Sequence, residues 1–468
     1  MIDREQAQDF VVNGSDHDFA RHLFLRIDDV AETLDLLREL VPLIALWNGN
    51  AENTNHPKIS FGCNVGGLVK LGVPLTLHSY MEKTSPAFTE GAYARAGRQL
   101  GDAGKSAPAY WDDRFHPDNL DIVLSVHALD ETQAAETCAN LRELKGAVGL
   151  SGWDTPFDSA HLTQRPDRRE HFGFRDGISQ PSMRGMPNVV GAPPHMITQP
   201  GEFILGYEND CGENLWNSTD DNEASRTAQV AFFRNGSFAA VRVMAQDVQG
   251  FKDNVARQRA ELPEEAQEEM SDEFLAAKMC GRWQNGALIK PGELSAPEEL
   301  PENLNDFDFK GDTGGSGCPF NSHIRRLNDR TPTGLAMSRR MLLRRGMPYG
   351  PEVGFETLDD DIQTDTEPRT VERGLFGVFV CADLQHQFEY IMKQWVSQSD
   401  DSAAKDPLIG NHQNSAAAFE VVGEDAHATL TGFQPFVVTR GTSYLFYPSI
   451  RALGELANQC RGLRVSSW

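Results

Sequence analysis

Leu23, Leu25 and Ile27 alternate with polar residues, which predicts a strand, and Asp28 and Asp29 then stand where a helix would be capped. Val30, Leu34, Leu37 and Val41 follow at helical spacing, and Pro42 marks the helix end. A second strand-into-helix unit comes later in the chain. Leu120, Ile122, Leu124 and Val126 alternate, Asp130 takes the cap position, and Ala134, Cys138 and Leu141 continue at helical spacing. Between the two units, residues 60–71 (SFGCNVGGLVKL) and a Gly/Pro-rich stretch over residues 101–117 supply strand and loop material.

The pattern returns in the second half. Residues 238–244 alternate and lead through Gln246-Asp247-Val248 into a helix with Phe251 and Val255, and residues 375–381 lead through Ala382-Asp383-Leu384 into a helix running towards Trp395. VMAQDVQGF and FVCADLQHQF are alike, as two related units would be. The expected fold is α+β: two ferredoxin-like domains with antiparallel sheets, resembling a dimeric α+β barrel, over residues 1–165 and 166–468. Acidic polar stretches at residues 208–224, 261–273, 293–312, 357–372 and 397–406 read as surface loops between these elements.

Charge narrows the possible partners. With 43 Lys plus Arg against 68 Asp plus Glu, a formal charge of -25, the chain is not expected to bind nucleic acid or an anionic membrane surface. No apolar run is long enough for a spanning helix, and the first residues lack the basic start and apolar core of a secretory signal, so a cytoplasmic protein is expected, with a homo-oligomer left open. The seven cysteines are scattered without CxxC spacing and read as reduced thiols.

Three stretches could carry chemistry. HFGFRDGISQP (residues 171–181) sets Asp176 between Gly173 and Gly177, with Phe172, Phe174 and Ile178 to draw the loop inward, so Asp176 is either a buried capping group or a working acid/base. In GGSGCPFNSHIRRLNDR (residues 314–330), Ser322 could cap a helix starting at His323, crowded by Arg325, Arg326 and Arg330. His323 taken alone is a surface or core histidine as readily as a metal ligand. MLLRRGMPYG (residues 341–350) places Arg344 and Arg345 between an apolar run and a turn, where one side chain would face solvent and the other an acid.

Taken together, Gly-x-x-Asp-Gly with Ile-Ser-Gln-Pro, Gly-Cys-Pro-Phe with His-Ile-Arg-Arg and a following Asn, and Arg-Arg-Gly-Met-Pro-Tyr-Gly resemble the motifs of the dye-decolorizing (DyP-type) heme peroxidases, in one of the larger subgroups. Shorter strings at residues 100–102, 200–207, 234–238, 281–283, 373–377 and 443–450 follow in the family's order. Where this chain has Asp329 the family often has proline, a departure beyond the metal-binding histidine.

The resemblance implies heme b in the C-terminal domain, its iron held by His323, with Asp406 of KDPLIG accepting the other imidazole N–H. It further implies Arg326 and Phe379 as cofactor-binding residues, Phe379 roofing the pocket unless it is a plain core aromatic. Asp176 would shuttle a proton on hydrogen peroxide, which predicts an acidic pH optimum, and Arg344, with Arg345 as the fallback, would stabilise developing charge. The reductants would be dyes, phenolics or similar aromatics, the bulky ones reacting at a surface Trp395 or Tyr390. Two other readings stay open at this point: a heme-binding protein of the same fold that handles heme or iron, and an interaction module without heme.

Overall fold

The computed structural model describes residues 2–46, 55–162, 168–186, 189, 192–328, 330, 340–352, 372–397, 405–412 and 418–458. The strands are β1 (Phe19–Ile27), β2 (Lys58–Cys63), β3 (Ile122–Ala128), β4 (Leu150–Ser151), β5 (Phe157–Ala160), β6 (Ser182–Met183), β7 (Ile197–Thr198), β8 (Ser237–Gln246), β9 (Leu343–Tyr349), β10 (Gly374–Cys381), β11 (Phe419–Val422), β12 (His427–Leu430) and β13 (Val437–Tyr447). The helices that matter for the site are α1 (Asp9–Val12), α2 (Val30–Leu40), α3 (Glu131–Arg142), α4 (Val248–Ala260), α5 (Asp272–Cys280) and α6 (His323–Leu327).

The strand-into-helix units form as the pattern requires. Asp29 accepts the Glu32 N–H at 3.0 Å at the start of α2, Asp130 the Gln133 N–H at 2.8 Å at the start of α3, and Asp247 the Gly250 N–H at 2.8 Å at the start of α4. The fold is α+β, with helices packed on an antiparallel sheet in ferredoxin-like units. One nine-stranded sheet runs β4-β1-β3-β2-β13-β8-β10-β9, with β5 on the free side of β1. The two halves of the chain join where Phe446 of β13 lies opposite Cys63 of β2.

The two ends of this sheet also meet. β5 packs against β9, with the Phe157 ring 4.9 Å from Tyr349 and 5.5 Å from Phe376, so the strands curl into a barrel-like layer around a common interior. Phe24, Val241, Val243, Phe376, Val378, Leu445 and Tyr447 fill that interior. A separate core forms where α4 and α5 pack with Phe172, Phe174 and Trp283.

Two sequence expectations need correction here. Residues 264–280, half of which read as an acidic loop, form two helices, Glu264–Glu269 and Asp272–Cys280, because Met270, Phe274, Leu275 and Ala277 are buried behind the charges. Ser322 precedes α6 but its side chain makes no cap; its hydroxyl lies 3.0 Å from the Cys318 sulfur instead. Of the seven cysteines, six are described, as thiols, and Cys460, Asp329 and the acidic segments 357–371 and 398–404 lie outside the described residues. No described helix is long and apolar enough to cross a membrane.

The barrel interior holds two histidines. His22 is stacked on Phe376 at 3.7 Å and sits between the Ser125 and Ser159 hydroxyls at 2.8 and 3.1 Å; His127 stacks on Phe10 at 4.9 Å. Burial pushes the His127 imidazole down to about 3, helped by the charges of His17 and Lys58, and pushes His22 well below the ordinary range, helped by His127. Both folded values are depressed, so their contribution is complete above the ordinary imidazole value and is lost as pH falls from there towards about 3. A melting curve taken in steps across that window is expected to show Tm falling, and the fall is expected to be shallower in His127→Phe. An equally steep fall in the variant would remove His127 as its cause.

Candidate active site

The loop over residues 171–177 is built around a carboxylate. Glu170 is buried and accepts the N–H groups of Phe172 at 3.0 Å and Phe174 at 2.9 Å and the Gln246 amide at 2.5 Å, while its own N–H donates to the Phe174 carbonyl at 2.9 Å. Such a tight turn needs left-handed backbone at Gly173 (φ +93°) and Gly177 (φ +75°). Phe172 and Phe174 anchor the loop on Phe251, 4.6 and 6.5 Å away. Asp176 emerges at its tip, its N–H donating to the Arg168 carbonyl at 3.0 Å and one carboxylate oxygen accepting the Gly177 N–H at 2.7 Å. The side chain is 42% exposed and lines a cavity, so it is not the buried capping group that was one of the two roles open from the sequence.

Strand pleating decides between the two arginines of β9. Arg344 lies opposite Phe379 of β10, and Arg345 opposite Val378, so the two guanidinium groups leave on opposite faces of the sheet. Arg345 turns into the buried side and donates to the Phe10, Val11 and Val12 carbonyls, at 3.2, 3.4 and 2.8 Å, that end α1. Arg344 reaches Asp176, with Nη1 3.7 Å from Oδ1, and donates from Nη2 to the Ser179 carbonyl at 2.9 Å. Gln180 locks the two motifs together: its amide oxygen accepts the Arg344 N–H at 3.0 Å and its NH2 donates to the Arg344 carbonyl at 2.9 Å. Phe379 also lines the cavity, packed 5.3 Å from Phe388.

The cavity has a volume of about 530 Å³ and is bounded across from Asp176 by α6. Lys278 of α5, buried, donates to the Ser316 and Gly317 carbonyls at 2.5 and 2.9 Å. Asp312 accepts the Gly317 and Cys318 N–H groups at 3.1 and 2.8 Å and the Arg325 guanidinium at 3.1 Å, which fixes the short α6 at both ends. His323 then lines the cavity with Nδ1 2.8 Å from Asp406 Oδ2. Asp406 is fully buried, and its other oxygen accepts the Leu408 and Ile409 N–H groups at 2.9 and 3.0 Å. Burial alone would raise its carboxyl, but the His323 charge and hydrogen bond and the two backbone N–H groups outweigh it and hold it below the ordinary range. An ionised Asp406 makes Nδ1 the donor, so in a neutral imidazole Nε2 is the atom left to bind a metal.

Among the described residues no three His, Cys, Asp or Glu side chains cluster as a metal site. His323 is one of four imidazoles among the described residues that line the cavity, with His22, His127 and His161, and its backing by Asp406 suits an ion whose remaining donors come with it, as in a porphyrin. Arg326 lies outside the cavity wall, donating to Asn321 Oδ1 at 3.1 Å and to the Trp395 carbonyl. Trp395 does line the cavity, and its ring meets Tyr390 edge-on at 5.7 Å. Gln180, Glu170 and Arg282, all in the wall, were not singled out from the sequence, and Arg330, also in the wall, was named there only as one of the cations crowding α6. Gln180 and Arg282 stood within quoted strings, but neither residue type announces its bonding.

No family model matches the chain. A dye-decolorizing peroxidase, msp1, of Mycetinis scorodonius is 31% identical over 398 residues, covering 79% of this chain and 71% of the relative. A dye-decolorizing peroxidase of Exidia glandulosa is 27% identical over 477 residues, covering 97% and 87%. Among solved structures, a dye-decolorizing peroxidase in complex with 2,6-dimethoxyphenol superposes with a TM-score of 0.80 at 23% identity, covering 98% of this chain and all of that one. A fungal DyP-type peroxidase from Auricularia auricula-judae gives 0.77 at 23% identity, covering 98% and 99%.

Proposed function

The chain belongs to the dye-decolorizing peroxidase family, and from that premise we propose that it holds heme b between His323 and Asp176 and uses hydrogen peroxide to oxidise phenolics and dyes by one-electron steps. The observation that carries this reading is a single cavity flanked on one side by an imidazole backed by a buried carboxylate and on the other by a carboxylate beside a guanidinium. Heme, when bound, supplies the redox chemistry. Nε2 of His323 would ligate its iron, and Asp406 would keep the imidazole electron-rich by accepting its other N–H. Asp176 accepts a proton from one peroxide oxygen and returns it to the other, so that water can leave. Arg344 carries the compensating positive charge for the bond that breaks, its Nη1 3.7 Å from Asp176.

Arg326 stays in this proposal as a support for the helix carrying His323, and Phe379 as a wall of the cavity. Residues 1–165 and 166–468 are the two ferredoxin-like domains in this reading, with heme on the second, and the acidic surface fits a cytoplasmic enzyme of small molecules. The test is steady-state oxidation of 2,6-dimethoxyphenol by hemin-loaded protein: turnover that requires peroxide supports the reading, and none above free hemin would sink it.

Trp395, with its ring at the cavity wall and Tyr390 against it, offers an electron route to reductants too bulky to enter. Trp395→Phe is expected to slow oxidation of a bulky anthraquinone dye several-fold and leave 2,6-dimethoxyphenol oxidation unchanged. Equal rates for the dye in both proteins would exclude that route.

A further inference from the structure

The barrel's inner face in the N-terminal half is polar where a core face is expected to be apolar. His22 of β1 lies opposite Ser125 of β3, and Ser125 lies opposite Ser60 of β2. In the next row Ala20 lies opposite both His127 and Ser159, so these side chains leave the sheet on the same face as Phe24. His22, Ser60, Ser125, His127 and Ser159 are all buried. Two of their atoms, Nδ1 of His127 and Oγ of Ser60, have no hydrogen-bond partner among the described residues. Buried polar atoms are almost always bonded, so such orphans point to a guest that can donate or accept.

This face also bounds the catalytic cavity. Ala20, His22, His127 and Ser159 line it together with Asp176 and Arg344, and Phe10, Phe376 and Val378 give it apolar walls. Phe376 and Val378 leave β10 on the face opposite to Phe379 and Arg344, so the cavity has a compartment on each side of the sheet. The two communicate at the seam where β5 meets β9: Ser159 and, just past the end of β5, His161 both line the cavity. His161 stands near Asp176. Burial and the Arg168 charge pull its imidazole down, and the Asp18 and Asp176 carboxylates oppose them.

Burial keeps His22 and His127 uncharged, their rings 6.0 Å apart, and the guanidinium of Arg345 on this face is taken up by the carbonyls that end α1. The inner compartment therefore suits a small neutral guest better than an ion. A neutral imidazole offers one N–H and one lone pair, and a serine hydroxyl offers both roles, so the guest must donate and accept. Hydrogen peroxide does both at each oxygen.

We propose that the inner compartment is a binding site for hydrogen peroxide, which is held at His127 and passes along Ser159 and His161 to Asp176. The proposal rests on the reading of Asp176 as the residue that meets peroxide.

The full chain with isotope-labelled imidazoles, before hemin is added, is titrated with hydrogen peroxide and followed by NMR. The expected result is a saturable shift of the His22 and His127 ring signals. In His127→Phe the His22 shift is expected to saturate at about fivefold higher peroxide, the effect of one lost hydrogen bond. In the hemin-loaded enzyme the same variant is expected to slow the second-order reaction with peroxide by a similar factor. Ring signals of the wild type that do not move with peroxide, or that move with 2,6-dimethoxyphenol instead, overturn the proposal without any variant having to fold. An unaltered His22 titration in His127→Phe takes His127 out of the site and overturns it as well. Failure to take up heme would remove the heme reading alone, and the imidazole titration would still decide the site.

Discussion

His323→Ala is expected to leave the protein folded and unable to retain heme. Among the imidazoles that line the cavity, His323 is backed by a buried carboxylate, Asp406, and α6 is held by Asp312, Arg325 and Lys278 rather than by His323. Loss of Asp406 alone, as Asp406→Asn, keeps a hydrogen-bonding group beside Nδ1 but removes the charge, and effects of about 10- to 100-fold on affinity or activity are ordinary for such a change. His323→Ala should exceed that range, and imidazole added in solution should restore part of the hemin affinity. Hemin titration followed at its main absorption band checks both. Unchanged hemin affinity in His323→Ala would remove His323 as the ligand.

Asp176→Asn is expected to keep heme and lose turnover. The side chain makes one hydrogen bond, to the Gly177 N–H, and one long ion pair with Arg344, while the loop is held by Glu170, by Gln180 and by the His171 ring 2.9 Å from the Tyr349 carbonyl. The amide therefore preserves the loop and removes only the proton acceptor. The expected loss in kcat/KM for peroxide is about 100- to 10,000-fold, the usual contribution of one positioned acid/base. Arg344→Leu should cost a similar or smaller factor by removing positive charge without removing the proton acceptor. Stopped-flow reaction of each variant with peroxide separates the two, and wild-type rates in Asp176→Asn would exclude it as the acid/base.

Much of this could be read along the chain because the signals are local. The caps at Asp29, Asp130 and Asp247 sit directly between an alternating run and a helical one, and a side chain that bonds a backbone N–H three residues ahead leaves its mark in sequence. The three chemistry-bearing strings contain the residues that the fold brings to one cavity, Asp176, His323 and Arg344. What could not be read depends on contacts between distant segments. The meeting of Phe446 with Cys63 that makes one sheet of two halves is a pairing across most of the chain.

The choice between Arg344 and Arg345 required the register of β9 on β10, since neighbouring residues on a strand differ only in face. Residues 264–273 were misread as loop because Glu264, Glu265 and Glu268 are exposed while Ala266 and Met270 are buried, and the second helix packs against α4. Arg282 stands within one of the shorter family-like strings, residues 281–283, but its residue type there says nothing of its surroundings. Its burial and its Nη2, unpartnered among the described residues, show only in the packed structure.

The visible absorption spectrum of the hemin-supplied full-length protein, recorded before and just after hydrogen peroxide and again after 2,6-dimethoxyphenol, tests the heme peroxidase reading most directly. A ferric heme band that changes on peroxide and returns on the phenol, in the wild type and not in Asp176→Asn, is the predicted result. A heme band indifferent to peroxide, or no heme band at all, would contradict it.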